Sequence, residues 1–137
     1  MTALISKQEA LIYVMVTTSA ADAAISDGEL KKIADLLRYV PALGDFEPGR
    51  LVEVANSCLA MLQSTNGIEG VVDLVASALP KPLQETAYAL AVEVAAADID
   101  VRQEELVFLQ HLEDAFALPK LAVAAIEHSA RVRYRQG

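Results

Sequence analysis

Asp22-Ala-Ala-Ile25-Ser-Asp27-Gly28-Glu29-Leu30 and Asp98-Ile-Asp100-Val101-Arg-Gln-Glu104-Glu105-Leu106 read as two copies of one acidic corner, 76 residues apart (98 − 22 = 76). The same offset aligns Ala20 with Ala96, Ala21 with Ala97, Ile25 with Val101, Ile33 with Leu109 and Leu36 with Leu112. An apolar lead, an acidic turn and an amphipathic follower therefore repeat together, over about residues 7–40 and 83–116. The pattern predicts an all-α fold with two pseudo-repeated helix–loop–helix halves. The repeat also settles the one ambiguous stretch, the β-branched run from Ile12 to Thr18, because its counterpart, residues 87–97, is alanine-rich and has no strand character.

Working outward, Ser6-Lys-Gln-Glu9 is a capping box, in which the Ser hydroxyl accepts from a free amide and the Glu reaches back to the cap; it opens a helix over about 7–21. Ser26-Asp-Gly-Glu29 opens a second, over about 27–39, with Leu30, Ile33, Leu36 or Leu37, and Val40 on one stripe. Pro41 stops it, and residues 41–47 read as a loop. Pro48 suits the first turn of a third helix to about Ser64, ended by Thr65-Asn66-Gly67. A fourth spans about 68–79, before Pro80-Lys81-Pro82, and a fifth about 82–97. A sixth, about 102–116, would bury Leu106, Leu109, Leu112 and Phe116, and a seventh runs from about Pro119 to Tyr134. The first and fifth, apolar nearly all round, belong at the centre.

Composition agrees. A chain of 137 residues is long enough for one core and too short for two, so residues 1–137 form one domain. With 54% apolar residues but only three Phe, four Tyr and no Trp, that core is aliphatic. The excess of 19 acidic over 11 basic side chains, net −8, repels phosphate backbones and anionic bilayers, which excludes nucleic acid as the expected partner. Cys58 is alone, on an apolar face with Ala55, Leu59 and Leu62, and reads as core filler. The opening residues imitate a secretory leader, but Glu9 is misplaced for one and the apolar run belongs to the repeat, so it reads as mature protein. Asp22 and Glu93 interrupt the apolar stretches before they reach a spanning length of about 18–20 residues. A cytoplasmic protein without membrane insertion is expected.

Each copy of the corner sets an Asp at the end of one helix and a Glu in the first turn of the next. If the copies converge, Asp22, Glu29, Asp98 and Glu105 supply hard oxygen donors for Ca²⁺, Mg²⁺ or Mn²⁺, with Asp100 and Glu93 as further candidates. The competing reading is that the glutamates only cap helix N-termini, and that Glu93 pairs with a nearby base. Neither corner has the ligand spacing of an EF-hand loop. His111 and His128 lack a partner at zinc spacing, and no phosphate loop or nucleophile constellation is present, so no enzyme is expected.

The residues from Ala20-Ala21-Asp22 to Glu29, and from Ala95-Ala96-Ala97-Asp98 to Glu105, each leading into an amphipathic helix, resemble the tellurite-resistance TerB family. The resemblance covers most of the chain. It implies about seven helices in two related halves and an acidic metal site carried over to Asp22, Glu29, Asp98 and Glu105. The family often has Gly directly after the Asp, where this chain has Ala23 and Ile99. It further implies a non-enzymatic domain that binds a divalent cation and a protein partner, or its own copy, in a stress or tellurite-resistance response. The alternative is a metal-independent helical scaffold or dimerisation module.

Overall fold

A computed structural model describes residues 5–20, 24–97 and 103–136, with the side chains of residues 103–105 outside the described set. Ser6 and Glu9 close the expected capping box: the Glu9 amide donates to Ser6 Oγ at 3.1 Å and the Ser6 amide to Glu9 Oε1 at 2.8 Å. Helix α1 (Lys7–Ser19) follows, and every residue from Ala10 to Ser19 is buried. A helix apolar on all sides must be enclosed on all sides. Here α3 (Leu51–Leu62), α4 (Gly67–Ala78), α5 (Lys81–Ala97) and α6 (Gln103–Phe116) all pack on α1, with α5 making the most extensive contact. The amphipathic α2 (Asp27–Leu37) lies against it by Ile33 and Leu37, and α7 (Lys120–Arg133) packs on α5.

Among the described residues the result is one all-α domain of seven helices, with no strand. Its core is aliphatic as expected, with Leu11, Ile12, Val14, Met15 and Ile33 inaccessible to solvent, and Tyr88, Phe108 and Phe116 supplying the aromatic bulk. The hydroxyls that α1 carries into this core are provided for. Thr18 Oγ1 donates to the Val14 carbonyl at 2.8 Å, and Thr17 Oγ1 lies 3.3 Å from Cys58 Sγ. Burial raises the Cys58 thiol to about 12, against the Thr17 hydrogen bond, so it stays protonated core filler.

Three expectations are corrected in detail. The 41–47 loop contains a 3₁₀ turn, Pro41–Leu43, and Pro48 opens a second, Pro48–Arg50, before α3 begins at Leu51. Proline's fixed φ suits either kind of first turn. On α6 the buried face is Phe108, Leu112 and Phe116, whereas Leu109 is half-buried and Leu106 is 49% exposed. Phe108 has the larger apolar surface to bury, and turning it inward rotates Leu106 out. The chain reverses after α3 through Gly67, at φ +43°, a conformation glycine adopts without a Cβ clash.

Candidate functional site

The first acidic corner is built by α1 and α2. Ser26, extended at φ −82° and ψ 163°, caps α2: its Oγ accepts from the Glu29 amide at 3.1 Å, and Glu29 Oε1 accepts from the Ser26 amide at 2.9 Å. That is the capping reading of Glu29, and it holds. It engages one carboxylate oxygen, and no described residue donates to Glu29 Oε2. The box therefore fixes the carboxylate without saturating it. An ion at this corner would meet a donor already oriented by the helix start.

Asp22, Asp98 and Asp100 lie outside the described residues, as does the Glu105 side chain. Of the six sequence-selected ligands, only Glu29 and Glu93 are placed. Among the described residues no group of three or more His, Cys, Asp or Glu side chains is arranged to hold an ion. Helix α6 begins at Gln103, 76 residues after Asp27 begins α2 (103 − 27 = 76), so the two acidic segments precede helices that start in register. His111 and His128 are both exposed on helix surfaces.

Glu93 takes the ion-pair reading. It projects from α5 to the end of α7, where Arg133 Nη1 meets Oε1 at 2.5 Å and the Tyr134 hydroxyl donates to Oε2. Lys32 Nζ on α2 lies 3.5 Å from the same hydroxyl and over the ring, 6.0 Å from its centroid. Burial pushes the Glu93 carboxyl upward, but the Tyr134 and Arg133 hydrogen bonds and the charges of Arg133 and Lys32 prevail and hold it below the ordinary carboxylate range. For Tyr134 burial and the Glu93 carboxylate act together to raise the phenol. This polar latch joins α2, α5 and the chain's C-terminal turn.

The sequence offered pairing with a base as one reading of Glu93, but not which base. Arg133 stands 40 positions from Glu93, with no helical periodicity between them. Arg131 and Arg133 in the last turn of α7 complement their own helix end, and only packing brings Arg133 to α5. A second long-range pair, Tyr88 Oη donating to Glu127 Oε2 at 2.7 Å, ties the middle of α5 to α7 in the same direction. Chemically, this region offers an oriented Glu29 carboxylate with one oxygen that no described residue meets, and polar pairs at Glu93 and Glu127 that are satisfied.

Residues 8–128 match the family model described as tellurite resistance protein TerB. No curated protein and no solved structure matches the chain. A match spanning most of the sequence, on a seven-helix fold, means that the chain belongs to the TerB family.

Proposed function

We propose, with membership of the TerB family as the premise, that this chain is a non-enzymatic domain whose duplicated acidic corner binds a divalent cation, Ca²⁺, Mg²⁺ or Mn²⁺. Its ligands are Asp22, Glu29, Asp98 and Glu105, with Asp100 assisting at the second corner. Glu93 is assigned to the latch with Arg133 and Tyr134 instead, since its two oxygens are both engaged there. The reading rests on one observation above others: the capping box presents Glu29 rigidly while leaving Oε2 without a described donor. The helix starts at Asp27 and Gln103, in register with the sequence repeat, support an equivalent role for Glu105. Four carboxylates at one place repel each other unless a hard cation neutralises them. Cation occupancy then governs docking of a protein partner, or of a second copy, in a stress or tellurite-resistance response.

Thermal unfolding with each of the three cations is the test. A ligand bound only by the folded state stabilises it by RT ln(1 + [L]/Kd), about 2.7 kcal/mol at a hundredfold excess over Kd. Asp98→Asn and Glu105→Gln should abolish that gain and leave cation-free stability unchanged or slightly higher. If millimolar cation raises the melting temperature of the parent protein by nothing, a metal-independent scaffold or dimerisation module takes the place of this reading.

A further inference from the structure

Helices α5, α6 and α7 do not close completely on one another. They enclose an open-sided cleft of about 540 Å³, within the size range of small-molecule sites. Val92, Ala95 and Ala96 of α5 form one wall and Leu106 and Leu109 of α6 the other. The third side is a stripe of α7 at helical spacing, Glu127, Ala130 and Arg131, continued by Tyr134 and Arg135 just past the helix end. The outward turn of Leu106 on α6 belongs to this cleft rather than to the core.

The charges along the stripe are ordered. Glu127 stands at one end, its Oε2 held by the Tyr88 hydroxyl at 2.7 Å. Arg131 follows one turn later, and Arg135 lies just beyond the helix end. Among the described residues neither guanidinium has an acidic partner, whereas Arg133 between them is committed to Glu93. In a chain of net charge −8, two arginines that meet no acid among the described residues, beside an apolar trough, form a local exception to the surface. An anionic group is repelled from the Glu127 end and drawn to the arginine end, and an apolar chain attached to it has the trough to lie in. Guanidinium forks match a planar carboxylate in particular.

We propose that this cleft binds a small amphipathic anion of the fatty-carboxylate class, its head on Arg131 and Arg135 and its tail along Val92, Ala96, Leu106 and Leu109. The proposal requires no metal, although Ala96 and Leu106 flank the second acidic corner in sequence.

Calorimetric titration of the full chain with hexanoate, octanoate and decanoate, each below its micelle concentration, tests it, with decyltrimethylammonium as the charge-reversed control. Affinity should rise toward about fourfold per added methylene, the factor corresponding to about 0.8 kcal/mol per buried CH₂. Decanoate should bind more tightly than the ammonium probe. The exposed double variant Arg131→Gln/Arg135→Gln should retain its circular dichroism and melting temperature while weakening decanoate about three- to tenfold. Ala96→Phe, which fills the trough from a half-buried position, should abolish binding. Equal binding of carboxylate and ammonium, no dependence on chain length, or an unaffected arginine variant overturns the proposal. So does binding of an acidic amphipathic peptide where decanoate fails, which would make the cleft a protein-docking groove.

Discussion

Ser6–Glu9 and Ser26–Glu29 are the same device in different surroundings. Their hydrogen bonds agree within 0.1 Å, 2.8 and 3.1 Å in one and 2.9 and 3.1 Å in the other. Glu9 also receives Arg50, Nη2 to Oε2 at 3.0 Å, and Arg50 bridges onward to Glu53 at 3.1 Å. Among the described residues no base meets Glu29 in this way. The helices they open differ as sharply, for α1 is buried from Ala10 to Ser19 while α2 buries only Ile33 and Leu37. A four-residue motif thus specifies where a helix starts and how its first carboxylate is aimed. Whether that carboxylate is neutralised, and how much the helix contributes to stability, is decided by what packs around it.

The contrast in burial predicts the largest effect. Leu11→Ala on α1, at a position with no solvent exposure, should cost about 2–5 kcal/mol, because it removes transfer energy and leaves a cavity. Leu36→Ala on the half-buried face of α2 should cost clearly less in the same urea titration. Equal losses would mean that α1 is not the enclosed centre.

Capping predicts a smaller and more symmetrical effect. Ser6→Ala and Ser26→Ala each free one helix-start amide, and each should cost about 1 kcal/mol by chemical denaturation. A Ser26→Ala loss well below that of Ser6→Ala would show that the second box is replaceable by solvent.

The smallest effect is the pH dependence that Glu9 introduces. The Ser6 amide, working against burial and aided by Arg50, holds the Glu9 carboxyl below its ordinary 4.5. A depressed folded pKa gives stability that is complete above the unfolded value and lost as pH falls through the folded one. Glu9→Gln should therefore flatten part of the decline in melting temperature below about pH 5. Removing the charge by Arg50→Gln should have a similar but weaker effect, since this surface pair is exposed and screened.

How much could be read in advance follows from the range of each interaction. Seven helices, their order and most boundaries were legible because caps, prolines and apolar periodicity act over a turn or two: Ser6 and Ser26 cap where expected, and Pro80 and Pro82 bracket the start of α5. The centrality of α1 was legible for the same reason, as a helix with no polar face. The face of α6 was misjudged because Leu106 and Phe108 compete for one interior and only the packed volume decides between them.

By itself, then, the sequence determined the helical class, the repeat of 76 residues, the capping role of Glu29 and the family to which the chain belongs. Only the tertiary structure decided that Arg133 and Tyr134 satisfy Glu93, that Tyr88 meets Glu127, and that α5, α6 and α7 leave a cleft bordered by Arg131 and Arg135. Local hydrogen bonds and periodicity are set by neighbours within about four residues. Ion pairs and cavities join residues dozens of positions apart, and they exist only once the helices have found their mutual rotation.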